Sequence, residues 1–246
     1  MKDLTNLVFG RINSNMIGSK HTIDKGDYAI LYAVLLEEWP AFLLAEEKTM
    51  HGIDRPFPGL TRRELSDHFF RLWSNGLIEC SEGESEPPVA ADFELAREQF
   101  EHAENWARPF QDVSIYFRLT DAGGKVWEHF ASPDWSKFFS SHIGSGPKEW
   151  TLSASSRVPI ELARKCRRIR PVPLKGTEKW EILEPWQATY GKELPVGHRL
   201  TYQYNAWDMP ETIDEEEIRA WEEFAPFWGE WYKSFQQLCE EHFGGA

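Results

Sequence analysis

Twelve tryptophans in 246 residues set the first constraint on this chain. Each indole brings roughly 150–250 Å² to bury, and its N–H needs a partner once it leaves water. The rings run from Trp39 to Trp231, so no single segment can absorb them. Such a chain folds around an aromatic-rich core and leaves several rings half exposed. Tryptophan is also enriched in binding hot spots, so at least one exposed anchor is expected. Aromatics at 14% and hydrophobics at 41% exclude disorder throughout. The length suits one large domain or two small ones, with a core that needs no disulfide or metal staple.

The net charge of −13 argues against a general nucleic-acid binder. Cys80, Cys166 and Cys239 are an odd set without a close pair, which excludes a disulfide scaffold and a cysteine zinc site. They fit a reducing compartment, and the chain reads as cytoplasmic. No apolar run approaches the ~20 residues of a membrane span, and the first residues, MKDLTNLVFGRINSN, lack a signal peptide's apolar core.

Residues 1–26 read as an extended arm. Asp27 to Glu47 has apolar residues at helical spacing, with Pro40 expected to kink or restart the helix. His51 to Gly59 reads as a loop. Leu60 to Cys80 carries the clearest local signal. Thr61 and Glu64 form a capping box, Leu65, Phe69, Leu72 and Trp73 share a face, and Asn75-Gly76 ends the helix before a strand at Leu77-Ile78. Ser81 to Asp112 opens with the acidic loop SEGESEPP. It continues into an exposed helix striped by Phe93, Ala96, Phe100 and Ala103. Val113 to Leu119 alternates as a strand, Thr120 to Gly124 reads as a turn, and KVWEHF starts another helix.

An apolar helix, a capped helix ending in NGLIE, a loop, and a strand running into YFRLTDAGGKVWE together resemble a winged-helix domain over about residues 27–130. The resemblance makes the Thr61–Ser74 helix the recognition helix, and Arg62, Arg63 and Arg71 the residues facing a DNA groove. It makes the strands beside the insert a wing. The insert, Ser81 to Asp112, is acidic where a DNA-contacting wing is short and basic. That departure favours a member used for protein interaction.

Ser132 reads as a helix cap with Pro133 in the first turn, and SSHIGSGPKE (Ser140 to Glu149) as a linker. The expected organisation is α+β, with a winged-helix-like domain at 1–140 and a smaller α+β domain at 141–246. The latter has strands at Trp150 to Ser153, Trp180 to Leu183 and Thr201 to Ala206, a helix at Pro159 to Arg168, and Gly197-His198 in a turn. A long helix from Ile213 to Phe243, split at Pro226, closes it, with Ile218, Trp221, Ala225, Trp228, Phe235 and Leu238 facing inward.

Motifs for chemistry are sparse. There is no HExxH, GxSxG, phosphate loop or dinucleotide fingerprint. No catalytic residue, metal or cofactor is assigned. His68 reads as surface or half-buried, and His198 as a titratable turn residue. Cys166 sits among cations that favour thiolate, or else faces the core. The most informative feature is charge. Arg157 to Lys179 holds eight bases against two acids, a net +6, leaving −19 on the rest. Arg164, Arg167, Arg168 and Arg170 form either an anion or partner site, or a cluster paired internally with Glu215 to Glu217 or with Glu82, Glu84 and Glu86. If residues 159–168 are helical, Arg164, Arg167 and Arg168 share a face. The expected function is a non-enzymatic module, acidic and Trp-rich, that binds a basic protein in the manner of an immunity or adaptor protein. The alternative is a winged-helix transcriptional regulator.

Overall fold

Asp24 opens the first helix by accepting backbone N–H groups of Gly26 and Asp27 at 2.9 and 3.1 Å. The computed structural model describes residues 22–35, 38–45, 59–81, 93–102, 116–144, 146, 148–166, 170–205, 214–229 and 231–243. Residues 1–21 of the expected arm (1–26), residues 51–58 of the expected loop (51–59), Glu82, Glu84 and Glu86, the segment 103–115, Arg167 and Arg168 lie outside them, and the end of the expected arm, Lys25 and Gly26, is helical instead. Helix α1 (Lys25–Ala33) ends sooner than its apolar spacing predicts. The chain then forms a two-residue strand, β1 (Trp39–Pro40), and a single-turn helix, α2 (Ala41–Leu44). Pro40 has no N–H to donate, so it stands before the new helix.

Helix α3 (Arg62–Ser74) keeps its predicted cap: Thr61 accepts from the Glu64 N–H, and Glu64 accepts from the Thr61 N–H at 2.8 Å. Leu65, Phe69, Leu72 and Trp73 are buried as expected. Gly76, at φ +68, releases the chain into β2 (Ile78–Ser81). Helix α4 (Phe93–Glu101) differs from expectation. It packs on α2 and α3, burying Ala96, Gln99 and Phe100. Phe93 stacks on Trp73 with ring centroids 4.2 Å apart. The reason is that the aromatic face of α3 (Phe69, Phe70, Trp73) needs more cover than the small sheet provides. Strand β3 (Tyr116–Leu119) is the centre of that antiparallel sheet, order β1-β3-β2.

The expected turn at Thr120 to Gly124 is the first turn of helix α5 (Asp121–Ala131), capped by the Thr120 hydroxyl. Its glycines serve close approach. A Cβ on Gly123 would lie 1.9 Å from the Leu77 carbonyl oxygen, and one on Gly124 2.6 Å from that of Gly191. Ser132 closes this helix in a left-handed conformation, φ 46, rather than opening a new one, and Asp134 caps the 3-10 turn Trp135–Lys137.

Residues 140–149, read as a linker, are a hairpin. Strand β4 (Phe139–Ile143) pairs with β5 (Glu149–Ala154), and Gly144 donates to the Glu149 carbonyl at 2.8 Å. After helix α6 (Arg157–Lys165) come β6 (Lys179–Leu183), β7 (Trp186–Thr189), β8 (Lys192–Leu194) and β9 (Gly197–Gln203). Gly197 and His198 therefore lie within a strand, not a turn. The larger sheet is antiparallel in the order β4-β5-β9-β6, and β7 and β8 form a hairpin of their own. Helix α7 (Glu215–Phe224) ends in the 3-10 turn Ala225–Phe227 around Pro226, and α8 (Phe235–His242) follows.

The fold is α+β. One buried cluster gathers Tyr28, Phe42, Phe69, Phe117 and Trp127, and also takes Trp186, Trp231 and Leu238 from beyond residue 141. A second joins Phe139, Leu152, Leu200 and Tyr202 on the larger sheet to Ile160 of α6 and Phe224 of α7. The β7–β8 hairpin reaches back to the first: the Arg118 guanidinium lies 5.5 Å from the Tyr190 ring, and Lys192 pairs with Glu128 at 2.7 Å. No helix among the described residues is long and apolar enough to cross a membrane.

Candidate functional site

Two surfaces were singled out by sequence, and the structure adds a third on a helix face expected to be buried. The α3 helix is the first. Arg71 turns toward α1, donating to Asp27 at 2.7 and 3.2 Å and to Asp24 at 3.0 Å. The His68 Nδ1 lies 3.2 Å from a carboxylate oxygen of each aspartate. Asp24, Asp27 and His68 bring their ligand atoms within 4.8 Å of one another, but the Arg71 guanidinium already supplies the positive charge there. Burial by itself raises the Asp27 carboxyl. Hydrogen bonds from His68 and Arg71 outweigh it and hold the group below its ordinary range. Arg62 donates to the Glu101 carbonyl at 3.3 Å, tying α3 to α4. Of the three DNA-facing candidates only Arg63 is exposed, in the company of exposed Glu64 and Asp67.

The basic cluster is the second. Helix α6 stops at Lys165, and Cys166 at its end leaves helical geometry. The helical face expected to join Arg164 to Arg167 and Arg168 falls on positions outside the described residues. Arg164 pairs with Glu161 at 2.8 Å and with Glu178. Among the described residues its partners are the two acids of its own segment, Glu161 and Glu178, and not Glu215, Glu216 or Glu217. Arg170 is 1% exposed. It donates to the Ala163 carbonyl, at the end of α6, and to the Pro171 carbonyl at 2.9 Å, to which the Tyr202 hydroxyl also donates at 3.1 Å. Arg170 is accordingly a core residue. Cys166 is also buried, and burial, against the opposing charge of Arg170, pushes its thiol up to about 11. It faces the core and is not poised as a thiolate.

The third surface lies on α7 and inverts its predicted orientation. Ile218, Trp221 and Trp228 were expected inside. They are 46%, 39% and 45% exposed. The inward residues are Glu217, Ala220 and Phe224, displaced by one position. Both sets have helical spacing, and the carboxylate of Glu217 disguised the true one. Around the exposed side chains stand Glu215, Glu216, Glu222 and Glu223, all exposed, with Arg219 bonded to the Glu215 carbonyl. Trp221 and Trp228 each contact Phe224, at 6.0 and 5.9 Å between centroids, and Trp228 also meets Phe139 at 5.9 Å. The exposed rings are therefore backed by the second core. The signal that could have located this face was the acidic run itself, because EEEIRAWEE cannot bury both flanks.

Comparison with known proteins gives no matching family model, no matching curated relative and no matching solved structure.

Proposed function

We propose that this chain is a non-enzymatic protein-interaction module whose acidic, tryptophan-bearing surface captures a basic partner protein. The observation that carries this reading is the exposure of Trp221 and Trp228 on and just beyond a helix that carries four exposed carboxylates. Exposed indoles on a supported aromatic base have the character of interface anchors, and the carboxylates steer an oppositely charged partner toward them.

The order of elements from α1 to α5, with the sheet β1-β3-β2, supports a winged-helix reading of the first half. That order is also what favours the alternative, a DNA-binding regulator. The diversion of Arg71 and Arg62 into internal contacts weighs against it, because groove reading needs bases directed outward.

Two measurements test the proposal. Affinity purification from the native host, with partners identified and their charge computed, is expected to return a basic protein. Fluorescence anisotropy with random duplex at about 150 mM salt is expected to show little binding, since non-specific affinity comes from phosphate neutralisation. Micromolar duplex binding that disappears on Arg62→Glu and Arg63→Glu would replace this reading with the regulator.

A further inference from the structure

We infer that the outer face of α7, continued to Trp228, is the docking site for an amphipathic helix of the partner, apolar along one stripe and flanked by lysine or arginine. This rests on the interaction reading above and specifies its surface and ligand chemistry. Ile218 and Trp221 stand one helical turn apart, so their side chains form a ridge of the kind that packs into the grooves of a second helix. Trp228, past the end of α7, is exposed as well and shares Phe224 as a ring neighbour with Trp221. The ten residues of α7 span about 15 Å, which matches roughly three turns of a partner.

The rim decides the partner's charge. Glu215 lies three residues before Ile218 and Glu222 four after it, so carboxylates neighbour the apolar centre at both ends. Glu216 and Glu223 lie about 140–160° around the helix from Ile218, beyond exposed Arg219, so the rim next to the apolar pair is formed by Glu215 and Glu222. An apolar centre within a charged rim is the layout in which dry anchors supply affinity and the rim supplies encounter rate and selectivity. An anionic ligand or surface would meet like charge here. A helix bearing Lys or Arg beside Leu-type residues meets opposite charge and a matching apolar stripe. Arginine is the better basic residue, because its guanidinium can stack on an indole while bonding a carboxylate.

The probe is a synthetic amphipathic peptide with a leucine stripe flanked by arginine, compared with the same peptide carrying glutamate at those positions. Binding to the full chain is followed by titration calorimetry at low salt and at about 150 mM salt. The arginine peptide is expected to bind at least tenfold tighter than the glutamate peptide. Trp221→Ala and Trp228→Ala are each expected to weaken it tenfold or more. Glu215→Gln with Glu222→Gln is expected to lower both affinity and its salt dependence, while Ile182→Ser, at an exposed position on β6, leaves binding unchanged. Thermal melts establish that each variant is folded. Equal affinity for the two peptides, or undiminished binding by both tryptophan variants, overturns the proposal. So does a parent dimer in sedimentation that Trp228→Ala dissolves, which would place a second copy on this face. A native basic partner retained by the Trp221→Ala, Trp228→Ala double variant overturns this surface and leaves the interaction reading standing. Tryptophan-dependent peptide binding without any native protein partner supports the surface and removes that reading.

Discussion

The Arg71 guanidinium makes hydrogen bonds of 2.7 and 3.2 Å to one carboxylate oxygen of Asp27, 44 residues earlier in the chain. A base that sequence places on a recognition helix is thereby spent on joining α3 to α1. Asp27 is fully buried, whereas Arg71 is 37% exposed. Removing the two partners should therefore have unequal effects. Arg71→Met leaves a buried carboxylate without its main counter-charge and is expected to cost about 3–5 kcal/mol. Asp27→Asn leaves a guanidinium that water can reach and is expected to cost about 1–3 kcal/mol. Urea melts of the two variants measure the order.

The same pair predicts a pH dependence. Asp27 titrates below its ordinary value of 3.8 in the folded chain. A carboxylate with a depressed folded pKa contributes stability that is complete above its unfolded pKa and disappears as pH falls through the folded one. The parent is therefore expected to lose stability below about pH 4 more steeply than Asp27→Asn. Parallel slopes for the two proteins between pH 7 and pH 3 would remove Asp27 from the account.

Trp73 and Thr61 separate core from cap on one helix. Trp73 meets Phe93 at 4.2 Å and Phe117 at 4.9 Å. Trp73→Ala is expected to cost about 3–5 kcal/mol. Thr61 is exposed and contributes through its capping box, so Thr61→Ala is expected to cost about 0.5–2 kcal/mol. Denaturant midpoints with unchanged slopes would report both as stability effects.

Two glycines test how the β7–β8 hairpin sits against the first half. Gly191 has φ +77, and a Cβ there would lie 2.6 Å from the Thr120 carbonyl oxygen. Gly124 would place a Cβ 2.6 Å from the Gly191 carbonyl oxygen. Alanine at either position must move backbone, and each is expected to cost about 1–3 kcal/mol or more. Gly176, at φ +81 with open space around it, is the control for conformation alone. Thermal melts should rank Gly176→Ala as the mildest.

Salt distinguishes the arginines of the basic cluster. Arg164 and Glu178 are each 29% exposed. Arg164→Ala is expected to cost about 0.5–1 kcal/mol, with the gap from the parent narrowing as salt rises. Arg170 is buried and bonded to carbonyls. Arg170→Leu removes one of the two donors each carbonyl has, Tyr202 remaining on Pro171 and the Cys166 N–H on Ala163; it is expected to cost about 1–3 kcal/mol, and salt should leave that gap unchanged. Melts at low and high salt compare the two.

What the chain determined by itself was local. The Thr61–Glu64 box, the Gly76 stop, the split at Pro226 and the alternation of Tyr116–Leu119 depend on neighbours within a few residues, and each formed where its spacing placed it. Tertiary structure decided what local rules leave open. Gly123 and Gly124 read as a turn until the Leu77 and Gly191 carbonyls approach them closely and make glycine necessary inside a helix. Arg71 and Arg170 read as surface bases until Asp27 and the carbonyls of Ala163 and Pro171 draw them inward. On α7 two apolar stripes one residue apart were equally regular. The second core selected Glu217, Ala220 and Phe224, which put Trp221 outside. Periodicity shows that a helix has a face; only the surface packed against it chooses which residues form that face, because the energy that decides is the area removed from water.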